Sequence, residues 1–119
     1  MELLDKVESY IKQMNKAYQV LGERIWEVEG TIISVVDGIV VFRTKIMDLP
    51  KQKEAELCKQ LLEWNAYDLI HGAYALEGNS IVIVDTLQAE NLDLNEFVAS
   101  YESIEMTLVA HYATLSNYQ

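Results

Sequence analysis

Two periods of apolar residues run along this chain, and the switches between them mark its elements. Leu4, Val7, Ile11, Met14, Tyr18 and Leu21 step by three and four, which keeps them on one helical stripe. Glu2/Lys6 and Glu8/Lys12 stand four apart on the polar side. Gly22 is a stop signal, so the spacing predicts a first helix from about residue 2 to 21. The next segment, "RIWEVEGTIISVVDGIVVFRTKIM", is rich in β-branched residues and holds the hairpin signal Asp37-Gly38. One strand ends near Val36 and the next runs from Ile39 to about Met47. The piece "IWEVEG" is either a separate short strand or the start of the first, with Gly30 as break or bulge. Pro50 in a first helical turn, with Asp48 as capping aid, opens a second helix over roughly 50 to 66. Leu57/Cys58 and Leu61/Leu62 repeat along it at helical spacing, and Asn65 caps its end. "HGAYALEGNSIVIVDTL" predicts a second hairpin turning at Gly78-Asn79. Phe97, Tyr101, Ile104, Leu108, His111 and Leu115 then mark a third helix over about 94 to 115. Asp93 and Glu96 stand at its start like a capping box.

The 119 residues fit one domain, residues 1–119. The expected fold is α+β, in the order α-β-β-(β)-α-β-β-α. A single antiparallel sheet of four to five strands carries three helices packed mainly on one face.

Register then raises a question. A two-residue turn at Asp37-Gly38 sets Val35 opposite Val40, Ile33 opposite Phe42 and Thr31 opposite Thr44, on the face assigned to the core. The other face receives Val36/Ile39, Ser34/Val41 and Ile32/Arg43, and the second hairpin adds Ala75/Val82 and Ala73/Val84. A sheet with one wet face should alternate apolar and polar residues. Here Ile32, Val36, Ile39, Val41, Val82 and Val84 are aliphatic where water would favour polar side chains. The second helix or a terminus, a second subunit, or a bound client are the candidate covers. We expect these six residues to face a partner. Trp64 and Leu61 on the second helix are expected at a dimer interface, since tryptophan is enriched at such contacts. A tryptophan at the edge of the core is the alternative for Trp64.

Charge is divided unevenly. Net charge is -10, and all nine Lys and Arg lie at or before Lys59, leaving nine acids and no base in residues 60–119. Such a surface repels nucleic acid and anionic lipid, so neither is an expected partner. It either serves solubility or suits a basic protein partner. The start "MELLDKVESY" has no basic region followed by an apolar one, and no apolar run reaches the roughly 20 residues of a membrane span. A single cysteine gives no disulfide within the chain. A soluble cytoplasmic protein is expected.

Candidate chemistry is sparse. Cys58, His71 and His111 are the only nucleophile and base candidates. Cys58 lies on the helical stripe beside Leu57, the setting of a small core hydrophobe. His111 is in phase with apolar residues, as a half-buried histidine with a satisfied hydrogen bond would be. His71 stands at a loop-to-strand junction. Asp85 and Glu96 are spaced like the ends of a calcium loop, but Leu87 and Ala89 stand where oxygens are needed. No metal, cofactor or enzymatic activity is expected.

The element order, the "LLEWN" that closes the second helix, "HGAYALEGNSIVIVDTL" and "LDLNEFVASY" resemble the type III secretion chaperone-like fold, YbjN-like proteins included. Trp26, before the first hairpin, matches a tryptophan common there. The resemblance spans about residues 2 to 115 and implies an acidic cytosolic homodimer without enzymatic activity. Secretion chaperones of this fold hold an extended client segment on hydrophobic grooves. Regulatory and stress-related roles have been proposed for YbjN-like members.

Overall fold

The Asp37-Gly38 turn sets a register from which the sheet grows outward. In the computed structural model, which describes residues 2–119, β3 (Thr31–Val36) and β4 (Ile39–Asp48) pair as the alternation predicts. Val35 faces Val40, Ile33 faces Phe42, and the Thr31 and Thr44 hydroxyls share a buried 2.7 Å hydrogen bond. The second hairpin, β5 (Ala73–Glu77) and β6 (Ser80–Gln88), turns at Gly78-Asn79 with Tyr74 opposite Ile83. Here β6 lies against β4.

Before this core, α1 (Leu3–Gln13) is followed by β1 (Tyr18–Gly22) and β2 (Ile25–Val28). The sheet therefore has six strands in the order β1-β2-β3-β4-β6-β5, every pair antiparallel. This corrects the expected four to five. "IWEV" is a strand of its own, turned into β3 through Glu29 and Gly30, both at positive φ. The first helix also ends eight residues sooner than expected. Asn15, at φ 58, breaks it, and Tyr18 to Gly22 pair with β2 instead. Lys16 anchors the break by reaching Glu29 at 3.6 Å and Glu105 at 3.7 Å.

The second helix, α2 (Glu54–Tyr67), starts four residues later than Pro50 suggested. Asp48 does not cap it: Asp48 ends β4 and pairs with Lys45 at 2.9 Å. Lys53, in the left-handed region at φ 61, takes the N-cap position. The third helix, α3 (Leu94–Ser116), is capped as predicted, with Asp93 accepting from the Glu96 amide at 2.7 Å.

All three helices pack on one face. Val7 and Ile11 of α1, Leu57 and Leu61 of α2, and Phe97, Tyr101 and Ile104 of α3 share one cluster with the core-face strand residues. Phe97 fixes the middle, with ring centroids 5.1 Å from Phe42 and 5.6 Å from Tyr10. Trp26 is buried and donates its indole N–H to Glu8 at 3.0 Å, tying α1 to β2. Gly72 enters β5 at φ +75, where a Cβ would lie 2.5 Å from the Val84 carbonyl oxygen.

Asn65 does not cap α2. Its side chain accepts from the Tyr74 amide at 2.7 Å and donates to the Tyr74 carbonyl at 3.1 Å. It thus occupies the outer edge of β5, pinning α2 to the sheet and closing part of an open edge. Asn65→Ala removes two hydrogen bonds of about 0.5–1.5 kcal/mol each. Urea unfolding is expected to show a loss of about 1–3 kcal/mol, with faster amide exchange at Tyr74.

Candidate functional site

Strand alternation places Ile32, Val36, Ile39, Val41, Val82 and Val84 on the face away from the helices, and none of them joins the core cluster. Among the described residues, the buried side chains of α2, Leu57 and Leu61, join the cluster on the opposite face. Val36 and Ile39 are 55% and 44% exposed, while Ile32, Val41 and Val84 are half-buried by their neighbours on the sheet. Ile25 pairs with Ser34 and so extends the same face onto β2. Ile25 carried no sequence signal, because its register depends on the Glu29-Gly30 turn.

Val82 differs, being only 2% exposed. Arg43 on β4 reaches Glu77 on β5 at 3.0 Å, and β6 lies between them. Arg43 is level with Val84 and Glu77 with Ser80, so the ion pair crosses the sheet at Val82. Val82 is therefore unavailable to a partner in this state. The accessible apolar belt lies on β2, β3 and β4.

The two residues expected at a dimer contact lie inward. Leu61 is buried in the core cluster. Trp64 stacks on His111 with centroids 3.7 Å apart and rings within 7° of parallel. Leu62, one residue on, is exposed. With Leu76, Ala75 and Cys58 it lines an apolar cleft of about 260 Å³ between α2 and β5.

His111 is the hub of a cluster that joins α2, β5 and α3. Its Nδ1 lies 2.7 Å from the Tyr74 hydroxyl and its Nε2 3.0 Å from an Asp68 carboxylate oxygen. Burial, and then the nearby Asp68 charge, push the Tyr74 pKa upward, so the phenol keeps its proton. With a neutral imidazole this phenol donates to Nδ1 while the Nε2–H donates to Asp68. This chain of hydroxyl, imidazole and carboxylate has the connectivity of a nucleophile relay. The would-be nucleophile is the Tyr74 side chain, however, which is buried beneath Trp64 and His111. The arrangement fastens two helices to the sheet edge. The sequence marked His111 as a satisfied, half-buried histidine, but Asp68 and Tyr74 as its partners carried no sequence signal.

Cys58 and His71 do not join this cluster. Cys58 lines the α2–β5 cleft and His71 a groove beside α3. Among the described residues, no three His, Cys, Asp or Glu side chains gather to hold a metal ion. Among them, too, no helix is long and apolar enough to cross a membrane.

The chain belongs to the CesT_Tir_1 family, whose model matches residues 1–119. No curated protein matches it in sequence. Among solved structures it is similar to YbjN from E. coli, a proposed transcription regulator, with 14% identity and a TM-score of 0.70. That alignment covers 94% of this chain and 93% of the other. It is also similar to a chain of the ExoU-SpcU complex from the type III secretion system of Pseudomonas aeruginosa. There, 12% identity and a TM-score of 0.61 cover 82% and 87% of the two chains. The structure of the Yersinia pestis secretion chaperone SycH with a fragment of YscM2 gives 10% identity and a TM-score of 0.59, over 92% and 98%. At these identities the likeness is one of fold, and it bears out the fold expected from "LLEWN" and the hairpin that follows.

Burial raises a second tyrosine as well: Tyr101 is pushed up to about 12, with Glu105 and Glu29 adding to the shift. An unfolded tyrosine titrates near pH 10. The stability held by Tyr74 and Tyr101 is thus whole below about pH 10 and falls as pH rises toward 12 and beyond, because the unfolded chain loses its protons first. Denaturant midpoints measured from pH 8 to 11.5 are expected to be level and then drop. Tyr74→Phe should lower stability at pH 8 by about 1–3 kcal/mol and flatten the alkaline drop.

Proposed function

We propose that this protein is a non-enzymatic interaction module of chaperone-like kind, a cytoplasmic homodimer that holds a segment of a protein partner on its open sheet face. The observation that carries the reading is the belt of Ile25, Ile32, Val36, Ile39 and Val41 with no helix over it. Val84 borders the belt, and Val82 joins it only if the Arg43–Glu77 pair opens. Contiguous apolar surface of this kind on a small acidic protein marks an interaction site. The fold likeness to a chain of a heterodimeric secretion-system complex, and to a secretion chaperone solved with a partner fragment, supports the same reading. An acidic C-terminal half suits a partner with basic residues and disfavours nucleic acid and anionic membranes. No cofactor enters the proposal.

The dimer contact is proposed through α2, which Trp64 and Leu61 hold down from inside so that Leu62 and the β5 edge are presented outward. Light scattering at micromolar concentration should give about twice the 13.6 kDa chain mass. Trp64→Ala should shift that equilibrium toward monomer. A second reading is a dimeric regulatory protein of the YbjN type without a peptide client, in which the sheet face itself pairs with its copy. The TM-score to YbjN, higher than to the two secretion-system structures above, favours it.

The double change Val36→Ser, Val41→Ser tests both readings. Each buried aliphatic side chain contributes about 1.5–3 kcal/mol at an interface, so binding through this face should weaken about a hundredfold or more. Melting compared at concentrations where the protein is monomeric should change by only a few degrees. Lost capture of a co-purifying protein with dimerisation intact supports the client reading. Lost dimerisation supports the self-pairing one. Unchanged binding and unchanged mass would rule out the face for both.

A further inference from the structure

We propose that the outer side of α3 is a second docking site, separate from the sheet face, which accepts a basic amphipathic helix of another protein. A groove of about 560 Å³ lies between α3, from Ala99 to His111, and the connection that leaves α2 through Tyr67, Asp68, Ile70 and His71. An adjoining hollow at Glu105 and Val109 shares Met106 and Ala110 with it. Together they follow α3 for about 16 Å, three turns of helix at 1.5 Å per residue.

Apolar exposure is concentrated here. Ile70 is 89% exposed, Tyr67 86%, Val109 79% and Met106 71%. These are the four most exposed large apolar side chains among the described residues, and they border one groove from two elements. On α3 the groove is lined at Ala99, Ser103, Met106 and Ala110. That spacing of three and four leaves a shallow seat of small residues around one adaptable methionine, the shape that receives a helix with anchors of like spacing.

Charge selects the occupant. Asp68, Glu102 and Glu105 rim the groove, in a half of the chain with nine acids and no base. Lys16 reaches Glu105, but among the described residues Glu102 forms no ion pair. A second copy fits poorly. A two-fold pairing would bring the same acidic rim in from both copies, with like charges repelling across the contact. A head-to-tail contact with the basic turn at residues 51–53 would build a ring or an open filament rather than a two-fold dimer. An incoming helix with Leu or Ile on one side and Lys or Arg at its margins meets both the apolar floor and the acidic rim.

The test uses the whole chain and a Leu/Lys amphipathic peptide of about eleven residues, three helical turns. Calorimetric titration is run at low and high salt, with a Leu/Glu peptide as control. Met106→Ser, Val109→Ser should weaken Leu/Lys binding tenfold or more. Glu102→Gln should weaken it severalfold, by a factor that shrinks at high salt. Val36→Ser, Val41→Ser on the sheet face should leave it unchanged, and circular dichroism should show the peptide gaining helix on binding. Tyr67→Ser, Ile70→Ser changes the other wall and serves if the α3 variant does not fold. Equal peptide affinity for the wild type and both groove variants would reduce the effect to net charge and overturn the proposal. So would equal binding of the Leu/Glu peptide, or a groove variant that loses self-association while peptide affinity stays unchanged.

Discussion

Coverage is the constraint behind this molecule. Six strands at about 4.8 Å spacing make a sheet some 24 Å across between its outer strands. A helix with its side chains covers about 10 Å. Three helices are thus enough for one face and leave nothing for the other. Phe97, Tyr101 and Ile104 bring α3 over the middle, α1 fills the side toward β2 through Trp26, and α2 closes the β5 side through Leu57 and Leu61. Every aliphatic residue that the register sends to the far face is left to water, to the charged side chains beside it, or to something else.

The chain treats the two halves of that far face differently. On the β6–β5 side the small Ala73 and Ala75 lie low, and the Arg43–Glu77 pair closes over Val82. A partly exposed ion pair contributes about 0–1 kcal/mol by itself. Its larger effect is that two long side chains shield a valine that a partner would otherwise meet. On the β2–β4 side no such pair spans the belt among the described residues, and Val36 and Ile39 stand exposed at the hairpin end. The openness is local to these strands, which is why the belt and not the whole face is the candidate surface.

How much was legible in the sequence depended on how local the cause was. The two hairpins and their register followed from alternation around Asp37-Gly38 and Gly78-Asn79, and the structure reproduces those pairings. The start of α3 followed from Asp93 and Glu96. The first helix was overrun because Met14, Tyr18 and Leu21 continue a helical stripe, while Tyr18 and Val20 also fit a strand. Pairing with β2, ten residues away in sequence, decided between them. Asn65 looked like a helix cap because its partner, the Tyr74 main chain, is set by tertiary packing. Val82 looked open because an ion pair across an intervening strand has no sequence signature.

The uneven charge gains a structural meaning from these positions. The bases gather in residues 1–59, where several are already engaged: Lys12 with Glu8, Lys16 with two acids, Arg43 with Glu77 and Lys45 with Asp48. The second half supplies β5, β6 and α3, and its acids find few bases within reach. Net charge of this size favours solubility and opposes non-specific association. A protein with exposed valines and isoleucines on one side, and exposed methionine and tyrosine on the other, would tend to self-associate if it were neutral. The acidic half offsets that tendency without covering either surface. A partner of the proposed kind would have to pair apolar contact with positive charge, two requirements from which selectivity would arise.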